Sequence, residues 1–162
     1  MNISENQGIA GKLIIKKYDL NGALQERVSA GNDITKNGRD LVARLFNADL
    51  ATWDTVNKVP TVKRVTKVKL GTSDKAFDPA HTSLQGPVKE WETKIVSIDK
   101  KDASDSRVML TIKGELDESQ CNGEIKEAGL FTDDDVMYNR VTFGAINKSD
   151  QFRFTLIWEI TF

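Results

Sequence analysis

The chain has 162 residues, of which 39% are hydrophobic and 29% are charged, and its formal net charge is -1. A chain of this length usually forms one domain that buries roughly 70% of its unfolded surface, so it needs no disulfide or metal to hold it together. Its near-neutral charge and pI near 5.9 provide no general attraction to phosphate groups. We therefore expect neither nucleic acid nor membrane among its partners.

The cysteine content and the N-terminal segment limit which cross-links and which cellular compartment we expect for this protein. The single cysteine, Cys121, excludes an internal disulfide and cannot supply a zinc cluster. No basic segment followed by an apolar run occurs at the start, and no apolar stretch approaches the ~18 residues of a spanning helix. We expect a protein that is made and kept in a cytoplasm, or that leaves it as part of something larger.

The first elements are a flexible arm and a hairpin. Residues 1–11 are polar with two glycines, which predicts an arm ahead of one domain over residues 12–162. Within residues 12–30, a strand opens at Leu13, and Asn21-Gly22 carries the signal of a tight turn that returns the chain through a second strand.

From Thr35 onwards the apolar spacing changes to that of a helix. Leu41 and Val42, with apolar residues one turn later, fall on one face and predict a short helix over residues 36–48. Thr35 or Asn37 is its expected N-cap.

The stretch over residues 62–70 predicts a strand with a basic character. Such a strand either faces an anionic partner or lies at a sheet edge, where lysines prevent mispairing, and we favour the second interpretation. A long loop follows through His81, and loops of this kind often contact partners. The basic residues of the strand are Lys63, Arg64, Lys67 and Lys69.

Five further strands are predicted downstream, separated by short polar turns. They cover residues 88–98, 108–116, 124–131, 136–143 and 151–162. The last is the clearest, because apolar and aromatic residues recur at every second position from Phe152 to Phe162 and define one buried face. The spacing of the strands predicts a mainly β fold, an antiparallel β-sandwich with one short helix inserted early.

The motifs point to no catalytic, metal or cofactor site. His81 is the only histidine, and no nucleophile motif accompanies it. Asp133, Asp134 and Asp135 lack the spacing of a calcium loop, so turn formation is the favoured interpretation. The acidic residues between 115 and 127 single out no carboxylate pair for glycoside hydrolysis. We therefore predict no catalytic residue, no metal and no cofactor.

Several short motifs follow one another in a recognisable order over residues 32–162. They are Leu70-Gly71-Thr72, a loop with Pro79 and Thr82-Ser83-Leu84, Glu127-Ala128-Gly129-Leu130-Phe131, and the last strand to Trp158-Glu159-Ile160-Thr161-Phe162. In this order the chain resembles a family of small tail proteins from bacteriophages and related contractile particles, and the hairpin over residues 12–30 is an addition to that pattern.

The resemblance implies a non-enzymatic structural component of a tail, fibre, baseplate or neck that works by multimeric assembly. Its partners would be other particle proteins and copies of itself, in a virion assembled in the host cytoplasm and released by lysis. The alternative is a carbohydrate- or receptor-binding module at a fibre tip, with a tryptophan stacked on a surface glycan. The candidate interface residues are Leu13, Ile15, Tyr18, Trp53, Val65, Lys67 and Trp91.

Overall fold

The computed structural model describes residues 9–47, 53–54, 59–60, 64–102 and 107–162. Within these ranges the chain forms one helix and ten strands. The helix is α1 (Lys36–Asn47), and the strands are β1 (Ala10–Asp19), β2 (Leu24–Ile34), β3 (Trp53–Asp54), β4 (Val59–Pro60), β5 (Val65–Gly71), β6 (Pro87–Asp102), β7 (Val108–Leu116), β8 (Gly123–Thr132), β9 (Met137–Lys148) and β10 (Phe152–Thr161).

Eight of these strands close into an antiparallel barrel. The strand order around the barrel is β1-β10-β7-β6-β5-β8-β9-β2, while β3 and β4 pair separately. The mainly β fold with one early helix is confirmed, and so is the hairpin formed by β1 and β2. The predicted sandwich is wrong, because the two sheets are joined into a closed wall.

Two long strands change from one sheet to the other and thereby close the barrel. β6 pairs with β5 as far as Lys94 and with β7 from Ile95 onwards, and a register shift between Ile95 and Ser97 lies at the change. β2 pairs with β1 as far as Asn32 and with β9 only at its last two residues. A bulge bends a strand around such a corner. Inward and outward residues alternate in the same way in a sandwich and a barrel, so the sequence pattern did not separate the two.

Side chains from every barrel strand meet in one core. β10 contributes alternate residues from Phe154 to Ile160, and all of these are buried, as the period of two predicted. Strands β1, β5 and β8 contribute further residues to the same cluster. The fully buried members of the core include Leu13, Val68, Leu70, Ile125, Leu130, Leu156 and Trp158.

The helix packs against β9, and its partly buried Leu41 and Val42 pack against the core cluster of the barrel. Thr35 is its N-cap, since its Oγ1 accepts a hydrogen bond from the Gly38 amide at 3.0 Å and lies 2.9 Å from the Met137 carbonyl oxygen. A Cβ at Gly38 would overlap the Tyr138 carbonyl oxygen and lie 2.8 Å from a methyl group of Ile34. Glycine therefore allows the helix its close approach to the strand.

No helix in the described part of the chain has the length and hydropathy needed to span a membrane.

Three details of the predicted boundaries change. The expected N-terminal arm lies outside the described residues as far as residue 8, and β1 begins at Ala10. β9 continues to Lys148, so the chain reverses only at residues 149–151, where the Phe152 amide donates to the Ser149 carbonyl oxygen. The strand predicted from residue 62 is described only from Val65 onwards.

Candidate interaction surfaces

The predicted interface residues divide between the core and the surface. Leu13 and Ile15 fill the barrel core, so their side chains are not available to a partner in this fold. Val65 and Trp91 are partly buried and pack against the same core. Tyr18 and Trp91 are half-buried and line surface grooves. The side chain of Trp53, which belongs to β3, lies outside the described part of the structure.

Strand β5 is not an edge strand, because β6 and β8 pair with it on both sides. Its lysines instead form ion pairs on the outer surface: Asp135 lies 2.6 Å from the ammonium of Lys67 and 2.9 Å from that of Lys69. Hydrogen bonds from these lysines lower the pKa of Asp135, and the same hydrogen bond raises the pKa of Lys67. Glu92 lies within 4 Å of both lysines, so charge is balanced within the cluster.

A groove of about 650 Å³ opens beside this cluster, between β6 and the loop that precedes it. Its lining combines apolar side chains with hydroxyl, carboxylate and ammonium groups. We call it the Trp91 groove. Its lining residues are Lys69, Leu70, Thr82, Ser83, Leu84, Pro87, Val88, Lys89, Glu90, Trp91, Glu92, Phe131 and Asp135.

The backbone along the Trp91 groove is irregular. Lys69 pairs with Glu92 but Gly71 pairs with Pro87, so four residues of β6 (88–91) stand against one residue of β5. In this bulge Glu90 has a φ of 69°, which is uncommon for a residue with a long side chain. Bulges and strained backbones are concentrated at binding and active sites.

The loop over residues 72–86, which we call the strap, crosses the outside of β8 and β9. Beneath it Glu127 and Arg140 form an ion pair whose side chains are both 0% exposed, with 2.6 Å between Oε2 and Nε. The Glu127 carboxylate also accepts hydrogen bonds from the amides of Gln85 at 3.1 Å and Gly86 at 2.6 Å. Arg140 Nη1 donates to the Lys75 carbonyl oxygen at 2.9 Å.

The ion pair therefore fastens both ends of the strap to the barrel. Our sequence reasoning missed it, although a signal was present. Arg140 lies between the buried residues Asn139 and Val141, and Glu127 directly precedes a run from Ala128 to Phe131 that is buried on both faces. Charged residues are almost never fully buried unless paired.

A second groove, of about 810 Å³, lies where the tip of the β1–β2 hairpin faces the turn after β7. We call it the end groove. Tyr18 lines it, and Arg153 binds Glu118 there at 2.8 Å, with side chains 55% and 43% exposed. The exposed Leu20 also lines it.

The other reactive side chains of the described residues do not come together in one site. His81 lies in the strap, where its Nδ1 accepts the Asp78 amide at 3.2 Å and its ring meets Phe77 edge-on. Cys121 is buried, and burial is the main cause that raises the pKa of its thiol to about 11. Among the described residues no group of three or more histidine, cysteine or acidic side chains could hold a metal ion.

Two strand edges have no partner among the described strands. β2 from Leu24 to Asn32 pairs with β1 alone, and β6 from Ser97 to Asp102 pairs with β7 alone. Exposed apolar side chains accompany these edges: Leu24 on β2, and Val96 and Ile98 at the β6 edge. An open edge with apolar residues is a template for pairing with another strand.

In the part of the chain that the structure describes, the fold is an antiparallel barrel, and its outer features include the Trp91 groove, the end groove, a fastened strap and two open strand edges. Comparison of the chain with family models, with curated proteins and with solved structures finds no match.

Proposed function

We propose that this chain is a non-enzymatic structural component of a phage or phage-like particle, attached at its tail, fibre, baseplate or neck. It works by multimeric contact with other particle proteins and with copies of itself. The virion is assembled in the host cytoplasm and released by lysis. The order of motifs over residues 32–162 favours this function, and the open β6 edge is the structural observation that supports it.

The β6 edge combines exposed apolar side chains with a backbone that has no second partner among the described strands. Ile98 is 47% exposed although Ile112, its direct partner on β7, is only 3% exposed. The side chains of such a pair lie on the same face of the sheet. The apolar inner face of the barrel therefore extends as far as Ile98, where it is exposed to solvent. Val96, at the bulge, is 54% exposed. An added strand from a partner would satisfy the backbone and cover both side chains.

The surroundings of the reactive side chains support a non-enzymatic role. His81 is engaged with a backbone amide through Nδ1, and the raised thiol pKa keeps Cys121 protonated near neutral pH. The Glu127 carboxylate binds two backbone amides and one guanidinium, which is a structural task.

The oligomeric state of the purified chain tests this function. We expect multi-angle light scattering to show a multimer that Ile98→Lys reduces to a smaller species, with an unchanged far-ultraviolet circular dichroism spectrum. Leu20→Lys is the matched control, because Leu20 is equally exposed but lies at the hairpin tip, away from the β6 edge.

Two results together would overturn the assignment. One is a chain that stays monomeric up to its solubility limit, and the other is its absence, by mass spectrometry, from particles purified from the source cells.

A further inference from the structure

Lys148, the last residue of β9, is a buried lysine that faces an amide instead of a counterion. The residue is only 3% exposed, although lysine is almost never fully buried unless it is paired. Its Nζ lies 5.9 Å from the centre of the ring of Phe154, which is also buried. Within the described part of the chain Nζ makes one hydrogen bond, to Oδ1 of Asn122 at 2.9 Å, and no ion pair.

Burial favours the neutral form of the Lys148 amine. Removal from water is the largest influence on this group and lowers its pKa, and it outweighs the opposing effect of nearby acidic groups. Those groups are the Cys121 thiol and the carboxyl groups of Asp117, Glu118 and Asp150. A lysine desolvated in this way is an activated nucleophile, because its lone pair is free of a proton.

The amide of Asn122 is held in position for attack by this amine. Asn122 lies in the turn before β8, and the next residue, Gly123, is the direct cross-strand partner of Lys148. Oδ1 accepts from Lys148, while Nδ2 donates to the Glu118 carbonyl oxygen at 3.1 Å, so both ends of the amide are fixed. Groups held in contact in this way react as if at effective concentrations of about 10⁵–10⁸ M, which offsets the low reactivity of an amide.

We propose that Lys148 and Asn122 form an intramolecular isopeptide bond. The neutral Nζ attacks Cγ of Asn122 to form the new C–N bond, and the bond from Cγ to Nδ2 breaks. The proton that Nζ loses passes to Nδ2, which leaves as ammonia, so the step needs no oxidant and no cofactor. Asn122 is exposed, and ammonia can leave into solvent.

The bond ties the start of β8 to the end of β9. It provides a covalent link in a chain whose single cysteine can form no internal disulfide. It forms within one chain, so it does not depend on the assembly proposed above.

The intact mass of the purified wild-type chain, measured after denaturation, tests this bond. We expect a mass that is lower than the sequence requires by one molecule of ammonia. Lys148→Met and Asn122→Ala should each have the full mass of their own sequences. Trypsin should not cut the wild-type chain after Lys148, and tandem mass spectrometry should find a branched peptide in which residues 122 and 148 are joined. The wild-type measurements do not depend on whether either variant folds.

A succinimide would produce the same loss of ammonia and must be distinguished from the bond. It arises when an asparagine followed by glycine cyclises, and the chain has three such pairs: Asn21-Gly22, Asn37-Gly38 and Asn122-Gly123. A succinimide does not need Lys148, and hydroxylamine cleaves the chain there, whereas an isopeptide bond resists it. Asn21→Ala is the matched control and should still be lighter by one ammonia. The proposal is overturned if the wild-type chain has its full sequence mass, or if Lys148→Met keeps the loss of ammonia.

Discussion

The buried ion pair beneath the strap provides the sharpest test of how this fold is held together. Glu127 uses both carboxylate oxygens: Oε1 accepts the Gly86 amide, while Oε2 accepts the Gln85 amide and the Nε–H of Arg140. Glu127→Gln keeps the size of the side chain but removes its charge. The new amide nitrogen is a donor that must face donors already present, and Arg140 keeps a buried charge without its counterion.

The expected loss of stability is large. Removal of one partner from a buried ion pair costs ~3–5 kcal/mol, and native domains have only about 5–15 kcal/mol in total. For a chain of this size each kcal/mol corresponds to ~2–4 °C in Tm, so Glu127→Gln should melt roughly 6–20 °C lower. Chemical denaturation followed by tryptophan fluorescence measures the free energy of unfolding directly, and faster tryptic cleavage after Lys75 would report release of the strap.

Glu118→Gln is the matched control for this substitution. Glu118 binds Arg153 at 2.8 Å, close to the distance in the buried pair, but both side chains are largely in water. Exposed ion pairs contribute little, so this variant should melt close to the wild type. The reasoning would be refuted if Glu127→Gln melted at the same temperature as the wild type. It would also be refuted if Glu127→Gln and Glu118→Gln lowered the melting temperature equally, since burial would then not explain the stabilising effect of the strap pair.

Three further outcomes follow from the geometry. Gly38→Ala should lower the free energy of unfolding measured in urea, because the added Cβ overlaps the backbone of β9. This loss should exceed the ~1 kcal/mol by which alanine favours a helix over glycine. Gly31→Ala is the control and should be neutral, because a Cβ at Gly31 has nothing within 4 Å. Cys121 should react with a thiol reagent about a hundredfold or more slowly in the folded chain than in denaturant at mildly alkaline pH, since its pKa is raised to about 11; equal rates would contradict this. The hydrogen bond from Lys67 lowers the pKa of Asp135 below its ordinary value of 3.8. The ionised carboxylate therefore stabilises the fold above pH 3.8, and this stabilisation is lost as the pH falls through the folded pKa. Asp135→Asn should be less stable than the wild type at neutral pH, and the melting points of the two should become equal in acid.

Most strands could be predicted because each has one face in a single core. The alternation from Phe152 to Phe162 and the Asn21-Gly22 turn report local geometry, and local geometry is what a sequence records directly. Closure of the barrel is not local. It depends on β6 turning a corner at Val96, and one extra residue in a long strand leaves the apolar pattern almost unchanged.

The surface residues were harder to predict than the strands. Leu13 and Ile15 belong to a hairpin with polar flanks, which is the pattern of an exposed element. Only the pairing of β1 with β10 explains why these two side chains are buried. Lys67 was interpreted as edge protection, because lysine is common at edges. Its actual partner, Asp135, is distant in sequence and was assigned to a turn, so only the pairing of β5 with β8 brings the two together.

The strap pair and the Trp91 groove are parts of one arrangement. Glu127 binds the amides of Gln85 and Gly86, the residues that directly follow the groove residue Leu84. Leu84 in turn packs against Phe131 and Met137 on the outer face of the barrel. The strap wall of the groove is therefore fixed by a buried ion pair on one side and an apolar cluster on the other.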